Sequence, residues 1–257
     1  MEFFVDKQSV VRKIWGKGDT VLFVFAGAAA EFALNKAVDW LYFTGRLPAD
    51  PLGRLFSTVM YARQIVFSEK EAAHKSIDKI IAIHIAVENS RGSQIPGWAY
   101  RDVLFMLIHY SQASFELLER KMTDSENEDL FGVFSRVGLR MGLKELPADY
   151  KEWTITRNEH LQKDLANSHY TADLYKQYRK HLGWIRYKLL IESQKLIVPR
   201  HANQLLNLGR YSWLTPILAI YKLSRKIKMD WFLKSFILPT AYKKQIKELD
   251  IAPTEFI

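Results

Sequence analysis

The chain has 257 residues, enough for one large domain or two small ones and long enough to bury a core without staples. Hydrophobic residues make up 48% and aromatics 13%, which excludes disorder as the default state, and the lack of any cysteine excludes disulfides, thiolate metal sites and cysteine nucleophiles. A formal net charge of +9 permits contact with nucleic acid or anionic lipid without establishing it.

In chain order, the start "MEFFVDKQSVVRKIWGKGD" has no basic segment followed by an apolar one, so no secretory signal is expected. The apolar run "VLFVFAGAAAEFAL", residues 21–34, is interrupted by Glu31 and falls short of the roughly 20 residues that cross a bilayer, so no transmembrane helix is expected. Apolar spacing is helical almost throughout and no period-two strand pattern stands out. The reading gives about ten helices, over 20–44, 51–67, 69–90, 98–121, 124–141, 149–166, 169–181, 184–196, 200–207 and 213–227, with shorter pieces after. Asp50-Pro51 reads as N-cap and first helical position, and "SEKE" (68–71) and "TDSE" (123–126) read as capping boxes. Breaks fall at "TGRLPAD", "SRGSQIPGW", "LKELPADY", "HLG", "IVP", "LG" and "ILP". With no repeat, low-complexity segment or linker in view, residues 1–257 are expected to form a single all-α, multi-helix domain.

Polar groups inside apolar helices are the candidate functional residues. In "DPLGRLFSTVMYAR", Arg54 and Thr58 stand four apart on one helix face among Leu55, Phe56, Val59 and Met60. A buried arginine keeps its charge and needs an anionic partner, either a carboxylate such as Glu31 or Asp39 or a ligand. In the next helix, Ile77, Ile80, Ile81 and His84 follow one face, and Ile83, Ile85 and Val87 widen the apolar surface nearly all round, which puts His84 in the interior. It is either a satisfied core histidine or a ligand, and a neutral imidazole in an apolar pocket is what haem iron accepts. Glu71 and His74 have the Glu-x-x-His spacing of di-iron helices, but no second copy accompanies them and capping accounts for Glu71. His109 reads as a second pocket residue or a hydrogen-bonded structural histidine, and His160 and His169 as members of a solvated face. "WGKGD" lacks the spacing and the preceding strand of a phosphate loop.

The blocks "DPLGRLFSTVMYA", "IAIHIAVENSRG", "WAYRDVLFMLIHYS" and "RVGLRMGLKELPADYKEW", in this order after "GD" and a Gly/Ala-rich helix, resemble the oxygenase MpaB and rubber oxygenase family. The match runs over about 15–153 and more loosely to about 250. The resemblance implies an all-helical fold with a globin-like core that binds haem b. His84 would be the proximal iron ligand, Arg54 and Thr58 would line the pocket beside the porphyrin, and Glu31, in the preceding helix, would stand where a general base sits. In the latex-clearing branch a lysine immediately precedes the threonine and can close the distal iron position. Here Ser57 takes that place and cannot replace an amine ligand, so the sixth site is expected open or water-filled.

The expected activity is therefore that of a haem b-dependent oxygenase taking dioxygen and an apolar, unsaturated substrate of isoprenoid or lipid type. The alternative is a non-enzymatic helical module on a lipid or membrane surface, suggested by the basic-aromatic stretches "YKLSRKIK" and "AYKKQIK" near Trp213, Tyr221, Trp231 and Phe232. Nucleic acid is not an expected partner, because these basic residues form no recognition helix. The expected location is the cytoplasm, with peripheral membrane contact.

Overall fold

A computed structural model of the protein describes residues 2–45 and 49–226. Trp231, Phe232, the stretch 241–247 and the shorter helices expected after 227 lie outside the described residues. Among those described, eleven helices account for the architecture: α1 (Val10–Trp15), α2 (Gly18–Leu34), α3 (Val38–Phe43), α4 (Pro51–Phe67), α5 (Lys70–Arg91), α6 (Gly97–Leu118), α7 (Asp124–Arg140), α8 (Tyr150–Asp164), α9 (His169–Ile197), α10 (Arg200–Leu206) and α11 (Leu214–Lys226). Extended pairing is limited to two isolated bridges, Phe3 with Glu69 and Asn35 with Leu165. The fold is all-α.

The apolar run read at 21–34 becomes α2, a helix buried on nearly every side, as a helix without a polar face must be. It packs most extensively against α6 and α9. Its small residues let neighbours come close. A Cβ at Gly27 would lie 2.1 Å from Cδ1 of Tyr110, so only glycine admits that ring from α6. Along the opposite edge, the α2 carbonyls of Ala26, Ala29 and Ala33 accept hydrogen bonds from Gln194, Tyr178 and Thr171 of α9 at 3.1, 3.1 and 2.6 Å. The main core gathers Ile14, Trp15, Val24, Phe105, Met106, Leu130, Phe134 and Trp153 around the other faces.

Several local signals hold. Asp50 caps α4 through Oδ1, which accepts the Gly53 amide at 2.9 Å, with Pro51 in the first turn. Thr123 and Glu126 form a reciprocal capping box on α7. The break read at "HLG" falls at Gly183. Two expectations fail. The helix expected over 20–44 divides at Asn35, whose Oδ1 accepts the Ala37 amide at 2.8 Å while its neighbours bond the end of α8, with Lys36 N–H to the Asp164 carbonyl at 2.9 Å. The "SEKE" box does not form. Ser68 closes α4 instead, and the Lys70 amide at the start of α5 is taken by the carbonyl of Glu2 at 2.9 Å, so the chain's own beginning supplies the acceptor.

Candidate active site

On α4, Arg54 Nη1 donates to Thr58 Oγ1 at 2.9 Å, and the threonine hydroxyl donates back to the Arg54 carbonyl at 3.1 Å. Each polar group thereby fixes the other one turn along the helix. Thr58 forms part of the wall of an apolar cavity of about 10 Å³ between α2, α4 and α6, alongside Phe25, Ala28, Phe32, Met106 and Leu107. That is room for about one water molecule. Phe56 packs on Phe25 with ring centres 5.4 Å apart, whereas Met60, an expected wall residue, is 46% exposed and faces outward. Ser57 is also at the surface, its hydroxyl donating to the Arg54 carbonyl at 2.8 Å.

His84 is half-buried in α5, its ring edge-on to Tyr100 with centres 5.0 Å apart. Its Nδ1 is enclosed and has no hydrogen-bond partner. Burial first, and the positive charge of Arg54 second, lower its pKa to about 4 against a smaller opposing pull from Glu88, so the imidazole is neutral at physiological pH. Glu88 is positioned in turn by Tyr100 Oη at 3.1 Å and the Ile95 amide at 2.8 Å. The structure thus brings Arg54, Thr58 and His84 into one neighbourhood. It corrects two expectations about it. His84 is not deep inside, because α5 buries only Ala73 and Ile77, in its first half, and leaves Ile83 and Ile85 44% and 49% exposed. Nor does His84 share the cavity of Thr58, which is small and has no His84 in its wall.

The carboxylates weighed as partners of Arg54 are engaged elsewhere. Asp39 pairs with Arg91 at 2.6 Å. Glu31, fully buried, accepts at Oε2 from Arg157 Nη2 at 2.5 Å and from Tyr110 Oη at 2.7 Å, while Oε1 is enclosed without a partner. Arg157 also reaches Asp102 Oδ1 at 3.4 Å, and Asn35 Nδ2 donates to the other oxygen of Asp102. Burial, then Glu31, push the Asp102 carboxyl up to about 7. The face of His160 and His169, read as solvated, is buried at His160, which is 8% exposed with its Nδ1 2.6 Å from Asp164 Oδ2; Arg157, one turn earlier, is 3% exposed. Arg157, Asp102, Asn35 and Tyr110 were missed because every bond among them and Glu31 joins residues at least 55 positions apart, so no local spacing links the partners. His109 belongs beside this group: burial and then Arg157 lower its pKa to about 3, against a hydrogen bond to the Ile197 backbone, and its Nε2 is enclosed without a partner.

Among the described residues no three His, Asp or Glu side chains converge as a protein-only metal cluster. The fold and site define an all-helical protein in which the neutral imidazole of His84 stands near an arginine–threonine pair at an apolar cavity. Residues 12–221 match the family model described as ER-bound oxygenase mpaB/B'/rubber oxygenase, catalytic domain, and the chain belongs to that family. It is therefore an oxygenase-type catalytic domain. No curated protein and no solved structure matches it. Among the described residues no helix is long and apolar enough to cross a membrane.

Proposed function

We propose that this oxygenase domain works with haem b held by His84 in a globin-like core, and that it oxidises an apolar, unsaturated substrate of isoprenoid or lipid type. The observation that carries the reading is the enclosed, unpartnered Nδ1 of a histidine kept neutral beside Arg54. A buried polar nitrogen without a partner is costly, and a neutral imidazole is the form in which histidine binds haem iron. The donor chemistry fits. The volume fits only after opening, since cofactor pockets measure roughly 300–1,000 Å³ and the cavity at Thr58 holds about 10 Å³. Opening would require the half-exposed second half of α5 to shift away from α4.

When bound, haem would supply the activation of dioxygen. The chain's own residues have separate tasks. Arg54, oriented by Thr58, presents a fixed cation and N–H donors to an anionic group at the site, and adds to burial in keeping His84 neutral. Thr58 gives an otherwise apolar wall its polar point, and Phe25, Phe32, Met106 and Leu107 exclude water and suit a hydrocarbon. Glu31, next to wall residue Phe32 in the chain, is the general base this reading assigns, with its Oε1 enclosed and unpartnered. Ser57, at the surface, offers no distal ligand.

The test is a visible spectrum of the purified protein. A Soret band, as isolated or after adding haemin, that disappears in His84→Ala while far-ultraviolet circular dichroism is unchanged is the expected result. A wild type that stays spectrally silent with haemin, or a His84→Ala variant that loads equally well, overturns the proposal.

A further inference from the structure

The longest helix folds back on itself. Tyr175 Oη donates to Gln194 Oε1 at 2.9 Å across 19 positions, which in a straight helix would be separated by roughly 28 Å. The reversal is at Gly183, whose φ of 72° and ψ of 173° lie in a region open essentially to glycine alone. The two arms pack together below it, Tyr175, Leu182, Tyr187 and Leu190 closing over Ala29, Ala33, Leu174 and Tyr178. The hairpin is therefore anchored to α2 at its base and presents its bend outward.

The residues at that bend are unlike those of an ordinary surface turn, which favours small polar side chains. Trp184 and Ile185 are adjacent and each 65% exposed, against a core that buries most large apolar groups. Exposed Lys176, Arg179, Lys180 and Lys188 flank them along the two arms, and no carboxylate occurs between residues 174 and 191. His181 is exposed as well. An indole and a branched aliphatic at a protruding point, inside a collar of cations, match the layering of an anionic bilayer: apolar interior, aromatic-favouring interface, negatively charged headgroups.

We propose that the α9 hairpin tip docks this protein on anionic lipid bilayers, with Trp184 and Ile185 entering the interface and the basic collar on the headgroups. The collar argues against a second copy of the chain meeting tip to tip, since like charges would face each other. The contact is independent of the haem reading, and it uses residues other than the basic-aromatic stretches that first suggested a membrane.

The experiment is co-sedimentation of the full chain with vesicles of phosphatidylcholine alone or mixed with phosphatidylserine, at low and high salt. Binding to the mixed vesicles that weakens with salt is expected, with little to phosphatidylcholine alone. The paired variants Trp184→Ser/Ile185→Ser and Lys180→Glu/Lys188→Glu should each lower apparent affinity by roughly tenfold or more. Their circular dichroism and melting temperature should match the wild type, because the altered side chains are exposed. The proposal is overturned if the wild type ignores both vesicles, or if the tip variants bind like the wild type. It is equally overturned if the variants change the sedimentation coefficient rather than lipid binding, which would mark an interface between copies.

Discussion

Removing Arg157 should be among the most damaging single changes available to this fold. Its guanidinium is 3% exposed and lies against two fully buried carboxylates, Glu31 at 2.5 Å and Asp102 at 3.4 Å. One cation faces two carboxylates, and burial first, then Glu31, push Asp102 up to about 7. In Arg157→Leu both carboxylates lose the cation in a medium where an opposite charge at about 4 Å is worth about 4 kcal/mol, and breaking buried pairs of this type costs about 3–5 kcal/mol. The loss should be larger at mildly alkaline than at mildly acidic pH, because uptake of protons by the carboxylates relieves part of it. Urea unfolding of Arg157→Leu, Glu31→Gln and the double variant provides the assay. The double variant should lose less than the two single losses combined, since each removes the other's reason for being there. A loss under about 1 kcal/mol in Arg157→Leu, or strict additivity in the cycle, would refute the idea that this network holds α2, α6 and α8 together.

Three further outcomes are expected. Gly27→Ala should cost about 1–3 kcal/mol, because the new methyl would sit 2.1 Å from the Tyr110 ring; thermal unfolding checks it, and trimming the ring in Gly27→Ala/Tyr110→Leu should recover part of the packing loss. Gly183→Ala should cost about 1–3 kcal/mol through backbone strain alone, since φ there is 72°; a substitution at solvent-exposed Gly97, where a Cβ would meet nothing and φ is ordinary, is the matched control. His109 sets a pH dependence whose sign follows from its lowered pKa of about 3. The neutral form is favoured in the fold, so its contribution is whole above the unfolded value near 6.5 and is lost as pH falls from there toward 3. His109→Gln should therefore flatten the acid limb of a stability–pH curve by a few kcal/mol, with the neutral-pH side little changed.

The sequence by itself determined the class of fold. Helical periodicity, the Asp50-Pro51 start, the Thr123–Glu126 box and the glycine at 183 are local devices, each acting within a few residues, so they are readable without knowing what packs where. The Arg54–Thr58 pair was legible for the same reason: four residues apart on a helix is already a contact. Ordered blocks of residues carried the family, and through it the oxygenase class.

Tertiary structure decided everything that depends on partners distant along the chain. Asn35 ends α2 because the end of α8 is waiting to bond its neighbours, and the "SEKE" box yields to a carbonyl from Glu2. Glu31 meets Arg157 across 126 positions, a contact that no periodicity encodes and that makes a buried charge centre between two helices. The ring of apolar residues around His84 was real, yet burial is a property of neighbours: α5 has none beyond Ile77 deep enough to cover Ile83 and Ile85, so the histidine ends half-buried at the edge of the core. Local spacing fixes which side chains share a face; only the packing of helices settles what that face looks at.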